Sequence, residues 1–347
     1  MPIVQHLIVD EYGVHLGRHS ERLQVMRIGE GTPAERMVQQ AALLHLESVL
    51  IAGQGISLSA DAVEACCERG IPIHFVSALG QPYAALYAAG LTGTVQTRRA
   101  QLLAFADQRG LAFGAACVEG KLHNQATLLK YTAKYRKEAD PALFAALNQA
   151  ADRVEGHIGE LRQLAGERID DVREQLMGIE GRAAQYYWGA IRQLVPELYQ
   201  WPGRERRGAA DPINAALNYG YGIMYGQVEQ AIVLAGLDPY AGFVHADRPG
   251  KPSLVLDLIE EFRAPVVDRT VLALANQRVA LQQDERHLLI KETRKMLAGK
   301  VLERLDSPAR YERKQHPLRA IIQMQARHVA TFLRGERERY VPFAATW

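Results

Sequence analysis

From residue 7 to residue 76 the apolar positions come in short runs: Leu7–Val9, Val14–Leu16, Leu23–Ile28, Ser48–Ile51, Ile56–Leu58 and Ile71–Val76. Several alternate with polar neighbours or are rich in β-branched residues, and Gly13, Gly31, Gly53, Gly55 and Gly80 stand at the breaks. A period of two sends successive side chains to opposite faces of a strand, so this part predicts a small β-rich unit. One helix is expected within it, over 60–69, started by Ser59 as N-cap and stopped by Gly70.

After Gly90 the period changes to that of a helix. Leu217, Tyr221, Met224, Val228, Ile232 and Ala235 form one apolar stripe that Gly236 ends. Val154, Ile158 and Leu161 repeat the spacing, as do Ile290, Leu297, Val301 and Leu305. Further helices are predicted over 97–108, 121–137, 172–192, 253–262 and 267–282, with Pro265 separating the last two. Trp201–Asp211 reads as a loop rich in glycine and arginine. The expected class is α+β: a β-rich domain over 1–90, then a larger all-α domain over 91–347.

Composition narrows the function. Of 347 residues, 48% are hydrophobic and 23% charged, which suits a packed interior and not wholesale disorder. The three cysteines, Cys66, Cys67 and Cys117, make no CxxC pair and argue against a disulfide framework or a cysteine zinc site. No apolar run approaches the ~20 residues of a membrane span. The first apolar stretch soon meets Asp10 and Glu11, unlike a signal peptide, so the expected location is cytoplasmic.

The net charge of +2 conceals an uneven distribution. Residues 1–90 carry five arginines, no lysine and nine acids, whereas 286–319 alone hold ten bases against four acids. A basic stretch of that kind is the footprint of a polyanion touching one region, or else a solvated helix face.

Three segments could carry chemistry. In Met177–Arg182, Glu180 lies between Gly178 and Gly181. Each glycine costs about 1 kcal/mol in a helix, which implies either close approach of another group or a helix that breaks and exposes the acid. In Gly242–Lys251, His245 sits in a turn, where a histidine is either a ligand or a hydrogen-bonded structural residue. In Asp257–Glu261, the carboxylates of Asp257 and Glu260 share a helix face and repel unless a cation lies between them. Glu261 should point away, toward a surface pairing with Arg263. Glu180, His245 and Glu260, with Asp257 as a further candidate, form an oxygen and nitrogen donor set without sulfur, suited to Mg²⁺ or Mn²⁺. Beside a basic region, such a site points to phosphodiester chemistry.

The segments MGIEGRAAQYYW, DPINAALNYGYGIMYGQVEQAIVLAGLDPYAGFVH and KPSLVLDLIEEFR, with KLHNQATLL before them and IIQMQARHVATFLRG after, resemble the CRISPR-associated endonuclease/integrase of spacer acquisition over essentially the whole chain. The resemblance implies a homodimer joined through the β-rich domains and a small dimeric partner, the second CRISPR-associated protein. It implies metal ligation by Glu180, His245 and Glu260, where the family often has Asp at the last position. It also implies double-stranded and branched DNA as substrate, with Tyr225 and Lys251 facing it. The implied reaction is attack by a protospacer 3′-hydroxyl on a phosphodiester of the repeat, or by water when the enzyme acts as a nuclease. Arg204, Arg206, Arg207, Lys291, Arg294 and Lys295 would hold phosphates, giving binding that weakens steeply with salt. Two other readings compete: an all-α Mg²⁺ enzyme acting on diphosphates, and a non-catalytic DNA-binding scaffold.

Overall fold

The computed structural model describes residues 3–88, 94–205, 210–245 and 248–347. The β-rich half contains β1 (His6–Val9), β2 (Val14–His19), β3 (Arg22–Arg27), α1 (Pro33–Arg36), β4 (Met37–Ala42), β5 (Ser48–Ile51), β6 (Ser57–Leu58), α2 (Ala60–Glu68), β7 (Ile73–Val76) and β8 (Pro82–Leu86). They build two four-stranded sheets, ordered β1-β5-β7-β8 and β4-β3-β2-β6. In the first sheet β1, β5 and β7 are parallel and β8 antiparallel. The period-two pattern buries Leu7, Val9, Val14, Leu16, Leu23 and Val25 in one core. Helix α2 is capped as the sequence predicts: Ser59 accepts from the Ala62 amide, and Gly70 follows the last turn with φ +67°. Strands β4 and β8 have no counterpart in the apolar pattern.

The second half is mostly helical: α3 (Thr94–Ala104), α4 (Gln108–Lys134), α5 (Pro141–Leu161), α6 (Ile169–Leu194), α7 (Pro212–Leu234), α8 (Ser253–Leu258), α9 (Glu260–Phe262), α10 (Arg269–Asn276), α11 (Lys291–Asp306) and α12 (Leu318–Leu333). A two-stranded hairpin, β9 (Pro308–Tyr311) and β10 (Lys314–Pro317), interrupts what the sequence pattern presents as all helix. The expected domain boundary near residue 90 falls among residues outside the described ones. None of the described helices is long and apolar enough to cross a membrane.

Three departures from the sequence pattern have physical causes. Helix α4 begins well before residue 121, because its internal glycines serve packing: a Cβ on Gly120 would lie 2.7 Å from Pro342. Pro265 does not separate two helices; Arg263–Asp268 form a π-helical turn that joins α9 to α10. A wider turn of this kind absorbs a residue lacking an N–H, and such turns recur at functional sites. Helix α7 is buried on nearly all sides, with Tyr219, Met224, Val228 and Ile232 all in the core. Its central place makes it the scaffold on which the two halves meet.

That junction is tight. The turn joining β7 to β8 is closed by Gly80 N donating to Ser77 O at 2.9 Å, with Gly80 at φ +76°. It seats directly on α7, where a Cβ on Gly222 would lie 1.3 Å from the Gly80 carbonyl oxygen. Beside it, His74 of β7 is 4% exposed and packs on Gly226 of α7. Burial pulls the His74 imidazole down to about 4. Between pH 6.5 and 4 the unfolded chain therefore takes up a proton that the folded chain refuses, and stability falls as the pH drops through that window. Denaturant unfolding across a pH series should show this slope, up to about 1.4 kcal/mol per pH unit, and His74→Gln should flatten it. Equal slopes in both proteins would rule His74 out as its source.

Candidate active site and nucleic-acid interface

Glu180 lies in the middle of α6, which runs unbroken through both flanking glycines. Among the described residues nothing comes within 4 Å of where a Gly181 Cβ would stand, and none of them explains that glycine. The Glu180 carboxylate turns inward to α4, where Lys121 is only 5% exposed. The Lys121 Nζ stands 2.5 Å from Glu180 Oε1 and 2.7 Å from Glu260 Oε2. Arg263 completes the group, its Nε 3.1 Å from Glu260 Oε1. Burial opposes the charges of Lys121, Glu260 and Arg263, and the attraction between opposite charges overrides it. The two carboxylates raise the Lys121 pKa, while Glu260, despite its burial, is held at about 2 by Arg263 and Lys121.

Arg263 is itself fixed from below. Its guanidinium lies 4.5 Å over the Tyr221 ring. The Tyr221 hydroxyl donates to buried Asp268, which also accepts from Tyr187 OH at 2.6 Å. Four helices and the π-turn thus converge on two acids and two bases.

Asp257 serves the loop that carries His245. Its Oδ2 accepts from the amides of Phe243 (2.6 Å) and Val244 (3.1 Å), and its Oδ1 accepts from the His245 amide at 2.9 Å. The same Oδ1 lies 2.7 Å from His245 Nδ1. An Nδ1–H donated there leaves Nε2 as the ring atom with a free lone pair. His245, Glu260 and Arg263 line a cleft of about 780 Å³, together with Tyr225, Lys251 and the β7–β8 turn. A small void of about 30 Å³ lies deeper, among Lys121, Gln125, Glu260 and Arg263. It has room for a single water or ion.

The residues singled out in the sequence are therefore gathered in different degrees. Glu180 and Glu260 share one ammonium, and His245 lines the same cleft as Glu260. Their ligand atoms are not all within 4.8 Å of one another. Among the described residues the one acid and imidazole group that tight is His6, Glu47 and Asp306, at the junction of the two halves. There Arg319 already supplies the cation, 2.9 Å from His6 Nε2 and 3.3 Å from Glu47 Oε2. Arg204 lines the cleft, bonded to Asn218 (2.8 Å) and Asn214 (3.0 Å). Arg206 and Arg207 lie outside the described residues. Lys291 and Lys295 are exposed on α11, and Arg294 donates to the Leu289 carbonyl at 3.1 Å. The segment leading into α11 reaches the cleft through Arg286 and His287.

Glu261 corrects the sequence expectation. It is fully buried, and Arg263 pairs with Glu260 instead. Glu261 accepts from Tyr340 OH at 2.6 Å, the Phe343 amide at 2.8 Å and Gln325 Nε2 at 3.0 Å. Its side chain enters the core, where it fastens the last residues of the chain. Lys121 was legible only as a charge on the otherwise buried face of α4, between Cys117 and Asn124.

Comparison with known proteins gives a consistent picture. The family profile of CRISPR associated protein Cas1 matches residues 7–303. A curated Archaeoglobus fulgidus protein, CRISPR-associated endonuclease Cas1 1, is 38% identical over 98% of this chain and 99% of its own. Among solved structures, a casposase bound to an integration product aligns with a TM-score of 0.79 at 20% identity, over 97% of this chain and 93% of its own. A Cas6-RT-Cas1–Cas2 complex gives 0.72 at 20% identity, over 99% of this chain and 37% of that one. At 20% identity the likeness is one of fold.

Proposed function

The chain belongs to the Cas1 family, and from that premise we propose a divalent-metal-dependent DNA endonuclease and integrase that inserts protospacer DNA into a CRISPR array. The observation carrying this reading is the pair of acids from distant segments, Glu180 and Glu260, closed on one buried ammonium beside His245. A site that closes two carboxylates on one ammonium in the protein interior is built for positive charge. The name of the Archaeoglobus relative and the casposase on its integration product point the same way.

Glu180, Glu260 and His245 would hold Mg²⁺ or Mn²⁺ through two oxygens and a nitrogen, a donor set that fits either ion. When bound, the ion polarises a phosphoryl oxygen and steadies the leaving alkoxide. Asp257 takes the part of a positioning residue: both of its oxygens already accept from the loop, and it fixes the ring so that Nε2 faces outward. Arg263, Lys251 and Tyr225 receive the scissile phosphate in the cleft, while Arg204, Arg206, Arg207, Lys291, Arg294 and Lys295 hold the flanking backbone. A 3′-hydroxyl attacking that phosphate joins strands; water in its place cuts them. The chain would act as a homodimer through residues 1–90, with a small dimeric second protein like the Cas2 of the related complex.

With Mn²⁺ present, the protein should cut or join a branched duplex carrying a free 3′-hydroxyl. EDTA should stop the chemistry while leaving DNA binding intact. A protein that binds the duplex but neither cuts nor joins it with Mn²⁺ would instead be a scaffold.

A further inference from the structure

We propose that a cleft between the β9–β10 hairpin and the last residues of the chain is a second site for phosphate groups of the DNA backbone. The cleft measures about 380 Å³, and its lining includes Arg269, Arg304, Arg310, Gln315, Thr346 and Trp347. Three arginines line it, and none of them has an ion pair with a carboxylate among the described residues. Arg263 and Arg319, by contrast, are both paired with acids.

Two of the three are held in place by neutral groups. The Arg269 guanidinium lies 4.8 Å from the Tyr131 ring centre and 4.8 Å from that of Trp347. Its Nη2 donates to Tyr131 OH at 3.3 Å. Arg304 donates from Nε to the Pro265 carbonyl at 2.9 Å and from Nη1 to Ser307 Oγ at 2.7 Å. Each therefore keeps further N–H groups available while its plane is fixed. That is the preorganised fork that binds phosphate oxygens in pairs.

The electrostatics agree. Burial first, and then the charge of Arg269, draw the Arg304 pKa down to about 10. Like charges confined together without a counterion favour any anion that can enter. A nucleic-acid backbone suits the surroundings best, because the hairpin continues the basic surface through exposed Arg313 and Lys314. The rings of Tyr131 and Trp347 also border the guanidinium.

The position is suitable as well. Tyr131 lies ten residues beyond Lys121 on α4, a rise of about 15 Å. That corresponds to roughly four base-pair steps of a duplex. The proposal rests on the reading of the chain as a DNA-processing enzyme and adds a contact away from the reacting phosphate.

The test is fluorescence anisotropy with a labelled branched duplex in EDTA, over a salt series, on the full-length protein. Arg310→Gln removes an exposed charge that the core does not use. Arg304→Lys keeps the charge and loses the fork. Arg310→Gln should bind about tenfold more weakly and lower the salt slope by about one, with the wild-type melting temperature. Arg304→Lys should fall between the two proteins. Trimming each duplex arm in turn to fewer than about four base pairs should, for one arm, reduce the wild type to the affinity of Arg310→Gln and leave that variant unchanged.

Unchanged affinity and slope in both variants would overturn the second site while leaving the catalytic reading intact, provided the wild type still cuts or joins DNA with Mn²⁺. Loss of binding to the small partner protein, with DNA binding untouched, would overturn it in favour of an acidic protein segment. A wild type with no affinity for DNA would overturn both readings together.

Discussion

Glu180→Ala is expected to slow cutting and joining of DNA severely and to lower the melting temperature as well. Loss of the carboxylate removes one of three proposed metal ligands. The rate should fall by about 10²- to 10³-fold, the scale set by deleting one preorganised charge-stabilising group. The stability loss has a separate cause. Lys121 is buried and would keep Glu260 as its remaining acidic partner. Breaking a buried ion pair from one side costs roughly 3–5 kcal/mol, and the surviving partner places this case toward the lower end. The two causes can be separated. A Glu180→Ala, Lys121→Met double variant removes the stranded ammonium, so it should melt higher than the single variant and remain as slow. Differential scanning calorimetry and a Mn²⁺-dependent strand-transfer assay on both proteins make the comparison. A Glu180→Ala protein as active as the wild type would remove Glu180 from the chemistry. A double variant no more stable than the single one would remove Lys121 from the account of stability.

Asp257→Asn should weaken Mn²⁺ binding about 10- to 100-fold, the usual effect of disturbing a group that orients a ligand. Asp257→Ala should in addition unfold the loop, because three backbone amides and the imidazole lose their acceptor together. Each buried donor left unpaired costs about 1–3 kcal/mol. The readout is the shift of melting temperature with Mn²⁺ concentration, which follows ligand affinity and needs no catalysis. Asparagine keeps one oxygen for the amides but presents an NH₂ where only donors face it, so its fold should survive better than that of alanine. Mn²⁺ affinity unchanged in Asp257→Asn would show that the ring needs no such support. Complete loss in Asp257→Asn, with Glu260→Gln retaining some, would make Asp257 the ligand and Glu260 the support.

Much of this arrangement could be read along the chain. Period-two runs gave six of the strands, whereas Asp257 and Glu260, expected on one helix face, stand on α8 and α9 and turn to different partners, the His245 loop and Lys121. What escaped was set by contacts distant in sequence. Nothing local distinguishes Glu261 from a surface acid, because its partners Gln325, Tyr340 and Phe343 lie more than sixty residues on. The continuity of α9 with α10 depends on a π-turn that tertiary packing selects against the ordinary effect of Pro265. The hairpin at 308–317 hid within a basic, weakly alternating segment. Its turn places Glu312 and Arg313 at φ +45° and +69°, where glycine or asparagine would have signalled it. Lys121 is the instructive omission: a lysine on an apolar face of a long helix is itself a sign of buried acids.

The seat of the β7–β8 turn on Gly222 bears on how proteins of this kind diversify. One rim of the cleft is lent by the amino-terminal half, while Glu260 and His245 come from a helix and a loop of the second half. A chimera given a foreign first half would inherit a foreign rim, and with it a different fit to whatever the cleft receives, even with Glu180, His245 and Glu260 unaltered. Drift in either half is thereby answerable to the other, and position 222 stays closed to larger residues for as long as the turn keeps its place.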